Sequence, residues 1–126
     1  MKKVWVCLVV ALVGYALLVH SASALPPFNK EWMTKYKEGN SNAKFVEAVD
    51  VAKCNVCHKG MSKKDRNEYG KAVAKYLTKA KYNEIKDDEA KAKQYILDGL
   101  QKAESEKAPN GKTYGELLKA GVLSEG

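Results

Sequence analysis

Residues 54–58 of the chain read Cys-Asn-Val-Cys-His, and they follow directly on a stretch, residues 43–52, with the apolar spacing of a helix. A Cys-x-x-Cys-His run is the attachment signal for a c-type haem. Two intervening residues let one tight helical turn present both sulfurs to the edge of a porphyrin, where the thiols add to the vinyl groups as thioethers. The motif therefore predicts one covalently attached haem c, held by Cys54 and Cys57, with His58 as the proximal ligand of the iron.

A zinc site, a redox-active dithiol and a disulfide each explain the motif less completely than a haem does. A structural zinc site normally takes four protein ligands, and residues 25–126 contain only these two cysteines and this one histidine. A thioredoxin-type dithiol would need a βαβ context, and no strand pattern is visible. A disulfide between Cys54 and Cys57 would leave His58 unexplained, so haem is the preferred interpretation.

The N-terminus has the three parts of a secretory signal peptide. Lys2 and Lys3 precede an apolar run over residues 4–19, and Ala22-Ser23-Ala24 supplies a cleavage site. A retained anchor is the alternative, because about 18 apolar residues can span a bilayer. Cleavage after Ala24 is favoured, so residues 1–24, with Cys7 and His20, are expected to be removed. Export to the periplasm agrees with haem attachment, which takes place outside the cytoplasmic membrane.

The remaining domain, residues 25–126, is small and moderately basic. It has 102 residues, in which 20 Lys and Arg outnumber 15 Asp and Glu, a net charge of +5. A positive surface suits an acidic redox protein as partner. A solvated lysine-rich surface without a specific patch is the more ordinary interpretation. Nucleic acid is not an expected partner of an exported protein, and contact with a membrane is expected only through an uncleaved signal segment.

Apolar residues recur every three or four positions along the domain, which is the helical period. Phe28, Trp32 and Tyr36 predict a leading helix that ends at the polar break of residues 39–42. Ser62 and Asp65 approximate a capping box and predict a helix start. Further helices are predicted over residues 43–52, over residues 67–78, from Asp87 or Asp88 to about Lys107, and after the capping box of Thr113 and Glu116. No alternating pattern occurs, so the fold class is all-α.

The order of these elements is similar to that of class I cytochromes c. The haem motif comes early and most helices follow it, unlike in the cytochrome c′ bundle, where the motif lies near the C-terminus. The leading helix, within residues 25–42, departs from the class I pattern. We therefore expect an all-α, class I cytochrome c-like fold around one covalent haem, with an extra N-terminal helix.

Three stretches resemble the small monohaem cytochromes of planctomycetes, in particular the NaxL/NaxS cytochromes of anammox bacteria. They read AKCNVCHKG at residues 52–60, KKxRNxYG at residues 63–70, where x is a position outside the resemblance, and GKTYG at the start of residues 111–121. The resemblance implies a haem with histidine on one side and cysteine on the other. It also implies a heterodimer with a related cytochrome, binding of NO or CO, and the anammoxosome lumen as an alternative to the periplasm.

The distal ligand of the iron is left open. No third cysteine remains after residue 24, so the cysteine that the resemblance implies cannot be supplied by this chain. Met61 follows His58 too closely to reach the other face. Met33 in the leading helix is the candidate, although thioethers more often fill gaps in a core. A deprotonated lysine such as Lys107 or Lys112, or water, completes the alternatives.

The function depends on whether the distal face of the iron carries a firm ligand or is open. Firm ligation favours an exported electron carrier between redox protein partners, and an open or weakly ligated iron favours a protein that binds small gases. An enzyme is not expected, because no histidine or cysteine after His58 is available as an acid, base or nucleophile.

Overall fold

A computed structural model describes residues 25–123, and these residues form six α-helices. No strand occurs among them, and pairing between extended residues is limited to isolated bridges. The all-α prediction is confirmed for this part of the chain. The predicted signal peptide lies outside the described residues. The helices are α1 (Pro26–Trp32), α2 (Ala43–Ala52), α3 (Glu68–Tyr76), α4 (Lys79–Ile85), α5 (Glu89–Glu104) and α6 (Tyr114–Lys119).

The leading helix exists as the aromatic spacing predicts. Prolines at the start of α1 suit a first turn, where no backbone N–H is needed. The helix continues as a wider π-helical turn over Met33–Lys37. Trp32 and Tyr36 therefore lie on one side of a continuous rod, with their ring centroids 5.1 Å apart. Trp32 is buried, which fixes this rod against the rest of the protein.

Polar side chains at the helix N-termini set most of the boundaries. Asn42, Asn67, Thr78 and Asp88 each accept a hydrogen bond from the backbone N–H three residues later. Asp88, and not Asp87, caps α5. Thr113 and Glu116 form the predicted capping box at the start of α6.

Two predicted features of the middle of the chain were wrong or incomplete. Ser62 does not start a helix: its Oγ accepts a hydrogen bond from Lys64 N at 3.3 Å within a turn. The helix begins only at Glu68, because Asn67 supplies the stronger cap. The predicted helix over residues 67–78 stops at Tyr76, and α4, a separate helix with little apolar content, was not predicted.

The core lies around α5, which packs against α1, α3, α4 and α6. The approach of α3 is close, since a Cβ at Gly99 would come 2.3 Å from Leu77 Cδ2. Among residues 25–123 no helix is both long and apolar enough to cross a bilayer. The buried cluster consists of Trp32, Phe45, Val49, Val56, Tyr69, Ala72, Leu77, Ile96, Leu100, Ala108, Tyr114 and Leu117.

Candidate haem-attachment site

A single residue with a strained backbone, Lys53, lies between the end of α2 at Ala52 and the motif. Lys53 has φ 50° and ψ −117°, and it is the only non-glycine residue with positive φ among residues 25–123. A side chain in this conformation costs about 1–3 kcal/mol. The reversal turns the chain out of the axis of α2 and into a single 3₁₀ turn, Lys53–Val56. Cys54 and Cys57 are therefore presented by a turn that is distinct from α2.

His58 is held in a defined tautomer. Its ring is only 5 % exposed, and Nδ1 lies 3.2 Å from the backbone carbonyl oxygen of Asp65. Because a carbonyl oxygen can only accept a hydrogen bond, Nδ1 carries the proton and Nε2 of the neutral ring keeps its lone pair. A histidine fixed in this way is prepared to ligate a metal through Nε2.

The loop after the motif folds back onto it. Lys59 N donates to Asp65 O at 2.9 Å, and His58 and Arg66 form an antiparallel bridge. Asn67 N then donates to Cys57 O at 3.0 Å. The loop therefore returns the chain to the motif and places the Asp65 carbonyl against the imidazole.

Asn67 joins the motif to α3 through three side-chain hydrogen bonds. Its Nδ2 donates to the carbonyls of Asn55 at 3.0 Å and Val56 at 2.9 Å, while Oδ1 accepts from Gly70 N at 2.8 Å. Asn67 is 3 % exposed. The sequence pattern marks Asn67 only as the first residue of a helix. The preference of asparagine for N-caps is a signal for its bond to Gly70 N but not for its bonds to the motif.

Gly70 lets α3 lie directly on the motif. A Cβ at this position would be 1.9 Å from the carbonyl oxygen of Cys57. No side chain fits at that distance, so only glycine allows this contact. The first turn of α3 therefore packs directly against the backbone of the motif.

The two thiols are both unpaired and differ in exposure. Cys54 is exposed and Cys57 is half-buried, and neither forms a disulfide. Burial raises the pKa of the Cys57 thiol to about 12, against a smaller opposite effect of Arg66. Cys57 therefore stays protonated at neutral pH, which disfavours it as an attacking thiolate. Among residues 25–123 no three His, Cys, Asp or Glu side chains converge as a metal site, so the zinc interpretation gains no support.

Exposed apolar side chains lie on both sides of the motif in sequence. Val51, three residues before Cys54, is 79 % exposed, and Met61, three residues after His58, is fully exposed. Val51 also ends an open groove of about 560 Å³ that runs along one side of α2. Apolar side chains exposed at single positions are common on protein surfaces, so these two do not by themselves mark a binding surface.

The three candidate distal side chains lie in the core or at the surface. Met33 lies in the π-helical turn and packs, partly buried, against the hydrophobic core. Lys107 and Lys112 are exposed at the turn before α6. Packing in the core is the ordinary role of methionine, and ligation of iron by Met33 or by either lysine stays a prediction.

The surroundings of the motif are strongly basic. Residues 51–67 contain five cationic side chains and a single acidic one, Asp65. The ion pairs found in the described part of the chain use other lysines. The five cationic residues, of which all but Arg66 are exposed, are Lys53, Lys59, Lys63, Lys64 and Arg66.

Taken residue by residue, the site fits a covalent haem. Two free thiols flank one turn, and the next residue is a buried histidine whose Nδ1 faces the carbonyl oxygen of Asp65, which makes Nε2 the nitrogen that would ligate a metal. Comparisons of the chain with protein-family models, with curated protein sequences and with solved structures gave no match. The resemblance to class I and to planctomycete monohaem cytochromes therefore stays a prediction from the motifs.

Proposed function

We propose that the protein is an exported monohaem c-type cytochrome that carries single electrons between redox protein partners. One observation supports the proposal: the imidazole of His58, directly after the two cysteines, has Nδ1 against the Asp65 carbonyl, which leaves Nε2 as the nitrogen for ligation. A dithiol or disulfide function would have no use for that arrangement. The periplasm, or the anammoxosome lumen if the resemblance holds, is the proposed compartment.

Each residue of the turn has a separate task in this proposal. Cys54 and Cys57 bind the porphyrin edge as thioethers, and His58 binds the iron on the proximal side. The haem, when bound, supplies a one-electron couple whose potential follows its axial ligands and burial. The carbonyl of Asp65 orients the ring of His58 and increases its basicity, which is the usual effect of an outer hydrogen bond on a ligating histidine.

The basic surface around the motif supports an acidic protein as the redox partner. Exposed lysines on both sides of Cys54–His58 attract a negatively charged surface toward the place where electrons leave. Such contacts speed association more than they strengthen binding. Pairing with a related cytochrome, as the resemblance implies, would use the same kind of surface, and no role for nucleic acid or catalysis is proposed.

Binding of NO or CO is the second candidate function. The observation that favours it is the state of the candidate distal side chains: Met33 packs against the core, and Lys107 and Lys112 lie in solvent. If none of them ligates, the distal face of the iron accepts a diatomic gas. The two functions share the proximal site and differ only at this face.

The cofactor is tested by a pyridine haemochrome spectrum of protein produced together with a haem-attachment system. We expect one haem per chain that stays with the denatured polypeptide. Cys54→Ala and Cys57→Ala should each leave a single thioether, with a shifted haemochrome band, and His58→Ala should abolish stable haem. A wild-type chain without covalent haem would refute the proposal.

The distal face is tested on the same sample. A near-infrared charge-transfer band typical of sulfur ligation, lost in Met33→Leu, would assign Met33 and favour electron transfer. A rapid Soret shift on addition of CO to the reduced protein would favour gas binding. Met61→Leu is the matched control, since Met61 is exposed and close in sequence to the proximal histidine.

A further inference from the structure

A buried tyrosine lies beside the motif. Tyr69, in the first turn of α3, is 2 % exposed, and the next residue, Gly70, lies against the carbonyl of Cys57. Tyr69 also lines a small void of about 10 Å³ together with Val56, the residue before Cys57. Burial, and next the nearby Cys57, raise the pKa of Tyr69 above its usual range. Tyr69 is therefore an aromatic ring close to the candidate redox centre.

From Tyr69 the aromatic contacts continue without a gap toward the surface. Trp32 Nε1 donates to the Tyr69 hydroxyl at 2.9 Å, and both side chains are buried. The ring centroids of Trp32 and Tyr36 are 5.1 Å apart. Electron tunnelling falls steeply with distance, and each step here spans only one hydrogen bond or one ring contact.

A proton acceptor lies at the outer end of this chain. The hydroxyl of Tyr36 donates to Glu104 Oε1 at 2.6 Å, and Lys35 Nζ lies 3.2 Å from the same oxygen. The Glu104 carboxylate is partly exposed, so a proton that it accepts can pass on to solvent. Burial raises the pKa of Tyr36 far above its usual range, so the resting phenol is neutral. A neutral phenol is oxidised readily only if its proton leaves together with the electron.

We propose that Tyr69, Trp32 and Tyr36 form a relay that carries single oxidising equivalents from the Cys54–His58 turn to the surface at Glu104. The inference rests on the proposed function, because it needs a redox centre at the turn. The oxidant is hydrogen peroxide at this centre: its O–O bond breaks, it takes two electrons and two protons, and it leaves as two molecules of water, so the centre lacks electrons that the relay returns one at a time. The relay would remove oxidising equivalents from the turn before they damage the thioethers.

The step balances in electrons and protons. One electron leaves Tyr36 and passes through Trp32 and Tyr69, so the oxidised centre is reduced by one electron. The O–H bond of Tyr36 breaks, and its proton goes to Oε1 of Glu104. The products are a neutral tyrosyl radical and a protonated carboxyl, and a one-electron reductant at the surface restores the phenol as Glu104 returns the proton.

A second tyrosine–glutamate pair provides a matched control. The hydroxyl of Tyr76 donates to Glu106 Oε1 at 2.5 Å, and Lys75 Nζ lies 2.5 Å from Oε2 of the same carboxylate. The local chemistry is that of Tyr36, Glu104 and Lys35. In the described part of the chain, however, Tyr76 takes no part in the ring pairs that lead to Trp32. The two pairs therefore differ in their connection to the relay.

The experiment is freeze-quench electron paramagnetic resonance of the haem-loaded protein after addition of hydrogen peroxide, with ring-deuterated tyrosine to identify the radical. We expect a tyrosyl radical whose yield is about tenfold lower in Tyr36→Phe and in Glu104→Gln, since each removes the proton transfer. The yield in Tyr76→Phe should equal that of the wild type. Trp32→Phe should also lower it, with circular dichroism as a check of folding.

Each other outcome has a defined meaning. An unchanged radical yield in Tyr36→Phe, or an equal loss in Tyr76→Phe, would overturn the relay. Glu104→Gln changes a partly exposed side chain, so the test holds even if Trp32→Phe does not fold. Absence of a radical in wild-type protein with a normal haemochrome spectrum would overturn the relay and leave the proposed function intact, whereas absence of covalent haem would overturn both.

Discussion

At the scale of single residues, Lys53 combines strain with a position next to the motif. Its positive φ is disfavoured for any residue with a Cβ and has no steric cost for glycine. We expect Lys53→Gly to be more stable than Lys53→Ala by about 1 kcal/mol in guanidinium unfolding of the haem-loaded protein. The alanine variant controls for the loss of the lysine side chain. Equal stability of the two variants would show that the strain is absent in solution.

Asn67 is the second residue with a large individual effect. It caps α3 and also satisfies two backbone carbonyls of the motif. Asn67→Ala should lower the free energy of unfolding by about 2–3 kcal/mol, since it removes a cap and leaves buried carbonyls unpaired. Asn42→Ala is the matched control, because Asn42 is an exposed cap that serves only Phe45 N, and its loss should cost about 1 kcal/mol.

The Asn67 prediction has a functional readout as well. Asn67→Ala should reduce the yield of haem-loaded protein, because the turn that presents the cysteines loses its support, and Asn42→Ala should not. Equal losses of stability in the two variants would mean that Asn67 acts only as a cap.

At the scale of elements, the contact between α3 and the motif depends on glycine. Gly70→Ala would place a Cβ 1.9 Å from the backbone oxygen of Cys57, whereas Gly99→Ala would meet the flexible end of Leu77 at 2.3 Å. Backbone cannot move aside as a side chain can. We expect Gly70→Ala to cost more than about 3 kcal/mol or to prevent folding, and Gly99→Ala to cost about 1–3 kcal/mol.

Thermal unfolding followed by circular dichroism measures both glycine variants. If Gly99→Ala were the more damaging substitution, the docking of α3 on α5 would matter more than its docking on the motif. Helices α3 and α5 themselves follow from apolar spacing and caps, but their distance of approach follows from these two glycines, for which the periodic pattern carries no signal.

At the scale of the whole molecule, the proposed function gives the basic charge around the motif a role in association with a redox partner. Substitution of Lys63 and Lys64 by glutamate would change the electrostatic field at the motif. Substitution of the exposed Lys86, in the α4–α5 turn, and Lys93, on α5, changes the net charge by the same amount elsewhere on the molecule. We expect electron transfer with an acidic redox protein to slow about tenfold or more in the first variant at low salt. Stopped-flow kinetics at several ionic strengths measures this effect. Equal slowing in both variants would mean that only net charge matters.

The sequence by itself determined the motif, the all-α class and most helix boundaries, because each depends on residues that are close in the chain. Spacings of three and four residues and caps such as Asp88 and Thr113 act locally. The predicted helix start at Ser62 was wrong because two residues, Ser62 and Asn67, could each cap a helix here. Asn67 also forms hydrogen bonds with the motif, and these bonds stabilise the later start.

Only the tertiary structure decided how the motif is held. The bond from His58 to Asp65, the clamp by Asn67 and the contact at Gly70 join residues that lie 7 to 13 positions apart. The path from Tyr69 through Trp32 to Tyr36 and Glu104 crosses three elements. These contacts depend on how helices pack, which the local period does not specify. The sequence could therefore indicate candidate haem ligands without showing what orients them.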